Sequence, residues 1–143
     1  MSPFDRQVRA QIYRHIVASG LGPNASQLAD ARGWPPEEVD EAFRRLEKEH
    51  RIALVPGGSQ VWMAHPFSGV ETGYRSITKS GSWYANCAWD ALAILSLMGD
   101  GRAVLTREND ELIWEVRNGR VTPEGVIHVQ VPAEQFWDDV GFT

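Results

Sequence analysis

The sequence is poor in cysteine: Cys87 is the single thiol among 143 residues. One cysteine cannot form a disulfide within the chain, which is typical of proteins in a reducing compartment. The N-terminal stretch "MSPFDRQVRAQIYRHIV" has no uninterrupted apolar run, which argues against a signal peptide and a membrane-spanning segment. We therefore expect a cytoplasmic protein with no membrane partner.

The sequence also has no excess of basic residues. Its 14 Lys and Arg residues are outnumbered by 19 Asp and Glu residues, and the net charge is −5. Nucleic-acid binding needs clustered positive charge at the phosphates, so this balance argues against DNA as a partner. The four histidines are scattered and have no second cysteine beside them, which argues against a zinc site. We expect no resident cofactor.

Residues 1–65 show helical periodicity followed by a hairpin signal. Three amphipathic segments are predicted as helices, and two apolar runs flank a turn at Pro56, Gly57 and Gly58. This order predicts a winged helix-turn-helix-like domain. The third helix begins with Glu37 and Glu38. A recognition helix approaches DNA with its N-terminal residues, and carboxylates there would be repelled by the phosphates. We therefore expect a structural or dimerising role for this domain.

Residues 66–143 are predicted to form the second part of an α+β protein. We expect a connecting loop with a short strand over 66–82, then a helix over 83–99 that is buried on most sides. Three β runs follow at 103–106, 112–117 and 126–131, and "RNGR" predicts a type I′ turn after the second. "PAEQFWDDV" predicts a short amphipathic helix. The fold class is therefore a winged-helix-like part followed by a buried helix packed on a small antiparallel sheet.

The chemistry centres on "NCAWDAL", in which Asp90 follows Cys87 by three residues. With Asn86 as the N-cap (Ser82 is the alternative), Cys87 would lie in the first turn, where the helix dipole favours a thiolate. The spacing places both side chains on one helical face. A carboxyl group in an apolar setting tends to keep its proton, so the pair would combine a soft nucleophile with a proton donor. The alternatives are a buried Cys87 that acts as a small hydrophobe and an Asp90 that pairs with Arg75.

The stretch "HPFSGVETGYR", followed by "WYANCAWDAL", resembles the core signature of the organomercurial (alkylmercury) lyase family. The preceding winged-helix-like part and the following "VTPEGVIHVQVP" and "FWDDV" are similar to that family in order and type. The resemblance implies that Cys87 takes the mercury of an organomercurial and that Asp90 delivers a proton to the carbon, which releases a hydrocarbon. Thiolate is the soft ligand that a soft cation such as Hg(II) prefers.

The resemblance also implies a second cysteine, shortly after a segment similar to "FWDDVGFT", with which these 143 residues end. Two alternatives stay open: the chain is truncated, or it is a short relative without the second ligand. In the second case a small cellular thiol would serve as co-substrate. A sheet edge left uncovered would then favour a homodimer.

From proximity in sequence, the substrate pocket is predicted to include Phe67, Ser68, Tyr74 and Trp83. The leading hypothesis is carbon–mercury protonolysis. A second is a non-catalytic binding or sensing module, in which Cys87 captures a soft metal or another soft electrophile. A third is an enzyme that uses Cys87 for covalent catalysis on a non-mercury substrate, with Asp90 as the acid.

Overall fold

A computed structural model describes residues 1–108, 110–129 and 131–141 of the chain. Its helices and strands, in chain order, are α1 (Pro3–Ser19), α2 (Ala25–Arg32), α3 (Pro36–Lys48), β1 (Ala53–Leu54), β2 (Val61–Ala64), β3 (Phe67–Ser68), β4 (Tyr74–Thr78), β5 (Ser82–Tyr84), α4 (Ala88–Met98), β6 (Gly101–Arg107), β7 (Asp110–Arg117) and β8 (Arg120–Thr122). No helix of the described residues is both long and apolar enough to span a membrane.

The helices of the N-terminal part follow the predicted pattern because their signals are local. Helix α1 begins with a capping box, in which Ser2 and Asp5 each bind the other's backbone N–H at 3.0 Å. Gly20 ends the helix in the left-handed conformation, at a φ of 82°. The predicted apolar faces of α1 and α3 are buried, and their residues form the core at Val8, Ile12, Ile16, Val39, Phe43 and Leu46.

The predicted hairpin is present, with β1 and β2 antiparallel, but the sheet gains an additional strand. Strand β3 pairs with β2 in the order β1-β2-β3. Within β3, Phe67 forms a bridge to Ala85, which lies directly after β5. The two parts of the chain are therefore joined next to Cys87. The winged helix-turn-helix assignment and the boundary after residue 65 stay predictions.

The C-terminal part is the predicted helix on an antiparallel sheet, which confirms the α+β class. Within the described residues the sheet has five strands in the order β5-β4-β6-β7-β8. Helix α4 packs on β4 and β6, and the buried Ser76 hydroxyl donates to the Ala91 carbonyl oxygen at 2.8 Å. The predicted turn joins β7 and β8, and Asn118 and Gly119 both have positive φ values, of 52° and 72°.

Two predictions about the start of the C-terminal part were wrong. Residues 66–82 contain strands β3 and β4 and the first residue of β5, rather than a loop with one short strand. The predicted helix begins only at Ala88, because Ser82–Tyr84 pairs with β4 as strand β5. It is not buried on most sides either, since Trp89 and Leu97 are 66% and 65% exposed.

Two predictions beyond β7 were also wrong. The third strand is Arg120–Thr122, because the tight turn reverses the chain at once and brings these residues into register with β7. The run at 126–131 forms no strand in its described residues, 126–129 and 131, and Val126 is 91% exposed. In place of the short amphipathic helix there is a single 3₁₀ turn, Ala133–Gln135.

Candidate functional site

Cys87 is itself the N-cap of α4, the place expected for Asn86 or Ser82. Its backbone is extended, and its Sγ accepts a hydrogen bond from the N–H of Asp90 at 3.5 Å. This is the position where a Ser or Asp side chain usually caps a helix. The sulfur therefore points at the free N–H groups of the first turn of α4, and Asp90 stands in that turn.

The environment of Cys87 favours the thiol over the thiolate. Burial raises the pKa of Cys87 above its ordinary value, and the negative charge of Asp90 raises it further. The backbone N–H groups of Asp90 and Trp89 lower the pKa, as the helix-terminus argument predicts, but they do not outweigh burial. The N–H groups of the first turn thus act in the expected direction, but the expectation did not consider burial, which has the larger effect.

Asp90 is buried and held by two side chains from outside α4. Its Oδ2 accepts from Asn86 Nδ2 at 2.9 Å, and His65 Nδ1 lies 3.3 Å from the same oxygen. The alternative pairing with Arg75 does not occur, because Arg75 donates to Ser82 Oγ at 2.8 Å.

Arg75 lies away from Asp90 because side chains alternate along β4. Ser76 contacts α4, so Arg75 faces the opposite side of the sheet. There it lines an open cavity of about 500 Å³, whose other lining residues include Tyr84 and Arg102. This cavity is thus separated from the Cys87 site by the sheet.

Asn86 connects the strand β3 to the carboxyl group of Asp90. Its Nδ2 donates to Asp90 Oδ2 at 2.9 Å and to the Phe67 carbonyl oxygen at 3.3 Å. Its Oδ1 is buried and has no hydrogen-bond partner among the described residues. The amide orientation follows from these partners, since the reverse orientation would place two carbonyl oxygens together at Phe67.

His65 is the residue of this cluster that the sequence interpretation missed. It lies directly before Pro66 and β3, and the Tyr13 hydroxyl of α1 donates to its carbonyl oxygen at 2.9 Å. Twenty-five residues separate it from Asp90, so no local periodicity relates the two. The available signal was its place at the head of the "HPFS" stretch.

The four predicted pocket residues lie around the junction of the two parts rather than in one exposed surface. Phe67, Ser68 and Trp83 are buried, and Tyr74 is partly buried. The Phe67 and Trp83 rings meet edge to face at a centroid distance of 6.4 Å, and Trp83 Nε1 donates to the Val17 carbonyl oxygen at 3.1 Å. Their packing supports β3 and β5 on either side of the site. Their role as pocket residues stays a prediction.

The C-terminal segment reaches the site through Trp137. Its ring stacks on His50 at a centroid distance of 4.4 Å and meets His65 edge to face at 6.1 Å. Gly141 lies so close to the Trp62 ring that an added Cβ would be 2.9 Å from it. The segment therefore packs over β2 and one side of His65.

Among residues 1–108, 110–129 and 131–141, no group of three or more His, Cys, Asp or Glu side chains is arranged to hold a metal ion. The functional groups that come together are the Cys87 thiol, the Asp90 carboxyl, the Asn86 amide and the His65 imidazole. The chemistry that this set offers is a soft sulfur ligand next to a carboxyl group with its own hydrogen-bonding partners.

The family model for alkylmercury lyase, MerB, matches residues 67–143. A solved structure described as "Crystal structure of the mercury-bound form of MerB2" is similar, with a TM-score of 0.63 and 18% sequence identity. The match covers 87% of this chain and 62% of that chain, so this chain spans about three fifths of the length of that protein. At this identity the likeness shows the fold. No curated protein matches the sequence.

Proposed function

Because this chain belongs to the alkylmercury lyase family, we propose that it cleaves the carbon–mercury bond of an organomercurial by protonolysis. Cys87 is the sulfur ligand for mercury and Asp90 is the proton donor. The observation that carries the proposal is that the first turn of α4 holds both groups together, with the Cys87 sulfur on the Asp90 N–H at 3.5 Å.

The first step exchanges the ligand on mercury. The Cys87 sulfur forms a bond to mercury as its proton passes to the Asp90 carboxylate, and the thiolate that carried the organomercurial leaves. The raised pKa of Cys87 means that the free protein holds this proton. The exchange replaces one thiolate on mercury by another, and Cys87 accepts the mercury because its sulfur is a softer ligand than the oxygen and nitrogen atoms nearby.

The second step breaks the carbon–mercury bond. The Asp90 proton passes to the carbon, a carbon–hydrogen bond forms, and the hydrocarbon leaves. Mercury stays on Cys87, and Asp90 is left as a carboxylate. We propose that a small thiol supplies a second sulfur to mercury and then removes it, since the 143 residues contain one cysteine.

A second candidate function is capture without cleavage. The single cysteine in the sequence favours it, because one protein sulfur leaves mercury with only one soft ligand from these 143 residues. In this case Cys87 binds Hg(II) or another soft electrophile stoichiometrically, and Asp90 transfers no proton to carbon.

The test is the release of benzene from a phenylmercury salt in the presence of excess small thiol, measured by gas chromatography. We expect benzene from the wild type and none from Cys87→Ser or Asp90→Asn. Asp30→Asn is the matched control, because it makes the same change at an exposed carboxylate on α2. Mercury bound to Cys87 in the intact mass, without benzene, would favour capture. If the assay yields no benzene and the intact mass shows no adduct, both functions are contradicted.

A further inference from the structure

An open cavity in the N-terminal part lies between α1 and the end of α2. Its volume is about 440 Å³, within the range of about 300 to 1,000 Å³ that is typical of ligand-binding clefts. The polar and aromatic side chains that line it are Arg6, Gln7, Gln11, Arg14, Arg32 and Trp34. Among the described residues that line it, none is acidic. The cavity therefore has three positive charges on its walls, although the sequence as a whole has a net charge of −5.

The spacing along α1 distributes the positive charge over the length of the cavity. Arg6 and Arg14 are eight residues apart on the helix, so their Cα atoms are separated by about 12 Å along its axis. Gln7 and Gln11 lie between them on the same side and supply neutral N–H donors. An anion with charged groups at more than one place can therefore contact both arginines at once.

The three arginines of the cavity have no carboxylate partner in the part of the chain that the structure describes. The arginine ion pairs of that part are formed by Arg44, Arg45, Arg51 and Arg117. Asp5 precedes Arg6 in the sequence, but its side chain is 3% exposed and pairs with Arg45. Arg6 donates to the Met1 carbonyl oxygen at 3.2 Å, which occupies one of the five N–H donors of a guanidinium. The remaining donors are available to a ligand.

Trp34 holds one of these arginines in place. The Arg32 guanidinium lies over the Trp34 ring at 5.5 Å from its centroid, a cation–π contact. The Trp34 ring in turn meets Phe4 of α1 edge to face, at a centroid distance of 5.2 Å. These contacts join the end of α2 to α1 across the cavity. Because the guanidinium is already positioned, less side-chain freedom is lost when it binds an anion.

We propose that this cavity binds the oligophosphate group of a small molecule, either free oligophosphate or the phosphate chain of a nucleotide. Planar guanidinium groups match the geometry of phosphate oxygens, and a chain of phosphates presents its negative charges to more than one arginine. A long polyanion fits less well, because the exposed Glu37 and Glu38 follow Trp34 closely in the chain and would repel it. The cavity shares no residue with the Cys87 cluster, so the proposal does not rest on the function proposed above.

The test is isothermal titration calorimetry with tripolyphosphate and with ATP at low salt. We expect both ligands to bind the wild type. Arg14→Gln and Arg32→Gln should each weaken binding roughly 10-fold, since each removes hydrogen bonds to a charged group. Arg107→Gln is the matched control, because it makes the same change at an exposed arginine at the end of β6, and it should bind as the wild type does. Equal affinities for the two ligands would identify the phosphate chain alone as the ligand, and tighter binding of ATP would identify a nucleotide.

A second measurement needs no variant. In ¹H–¹⁵N spectra of the wild type, tripolyphosphate should shift the side-chain amide signals of Gln7 and Gln11 and leave those of the exposed Gln60 unchanged. The proposal is overturned if neither ligand binds the wild type, or if Arg107→Gln weakens binding as much as the cavity variants. It is also overturned if a short DNA duplex binds more tightly than tripolyphosphate and loses affinity in the cavity variants, since the surface would then bind nucleic acid.

Discussion

The ion pair between α1 and α3 predicts a specific response of the fold to acid. Arg45 Nε and Nη2 donate to Asp5 Oδ1 at 3.1 and 2.9 Å. These bonds, with smaller contributions from Ser2, lower the pKa of Asp5 from 3.8 to about 2. We predict that Arg45→Met, which keeps much of the apolar stem, destabilises the protein at pH 7 and much less at pH 2.5.

The magnitude follows from the pKa and the exposure of the pair. One pKa unit corresponds to about 1.4 kcal/mol, so a shift from 3.8 to about 2 sets an upper bound of about 2.5 kcal/mol. The Asp5 side chain is 3% exposed, but that of Arg45 is 45% exposed, and solvent screens the guanidinium. We therefore expect a loss of about 1 to 2 kcal/mol in the free energy of unfolding at pH 7.

The pH window follows from the sign of the shift. The folded-state pKa of Asp5 is below its unfolded value, so the carboxylate stabilises the fold above about pH 4, and this contribution is lost as the pH falls towards about 2. Urea denaturation at both pH values measures it. Arg44→Met is the control, since Arg44 pairs with Asp40 on the surface and should cost less than about 0.5 kcal/mol. An equal loss from Arg45→Met at both pH values would refute the reasoning.

Two further predictions concern the site and its support. The rate of Cys87 alkylation by iodoacetamide should rise with pH around a midpoint above that of a free cysteine, because burial raises the pKa of Cys87. Asp90→Asn should lower this midpoint, because it removes a negative charge that also raises the pKa of Cys87. An unchanged midpoint in this variant would contradict the contribution of Asp90. Ser76→Ala should cost about 1 kcal/mol in the free energy of unfolding, because it removes a buried hydrogen bond between β4 and α4. Ser96→Ala, which removes an exposed hydroxyl within α4, is the control. If denaturant unfolding shows that both variants lose the same free energy of unfolding, burial of the Ser76 hydrogen bond does not explain the loss.

Where a structural signal is local, the sequence predicted the structure well. The face of α1 formed by Val8, Ile12 and Ile16 repeats every four residues, and all three are fully buried. The turn at Asn118 and Gly119 adopts the expected backbone because these residue types tolerate positive φ. The proximity of Cys87 and Asp90 is equally local, since three residues separate them along one turn.

Where tertiary pairing decides, the sequence predictions failed. An apolar run from Trp83 onwards reads equally well as helix or strand, and pairing with β4 makes Ser82–Tyr84 a strand. Because of that pairing, the helix begins only at Ala88, and Cys87 becomes its N-cap. The contact between His65 and Asp90 depends on how β3 meets the start of α4, and no spacing in the sequence encodes it.

The cap position of Cys87 has a mechanical consequence for the proposed reaction. The sulfur that takes mercury is the same atom that accepts the Asp90 N–H and closes the first turn of α4. Mercury takes the place of the Cys87 proton, so the sulfur keeps a lone pair for the Asp90 N–H, and loading the site leaves the turn that carries the proton donor closed. The mercury ligand therefore holds the backbone of the proton donor, while Asn86 and His65 contact its carboxyl group from outside the helix.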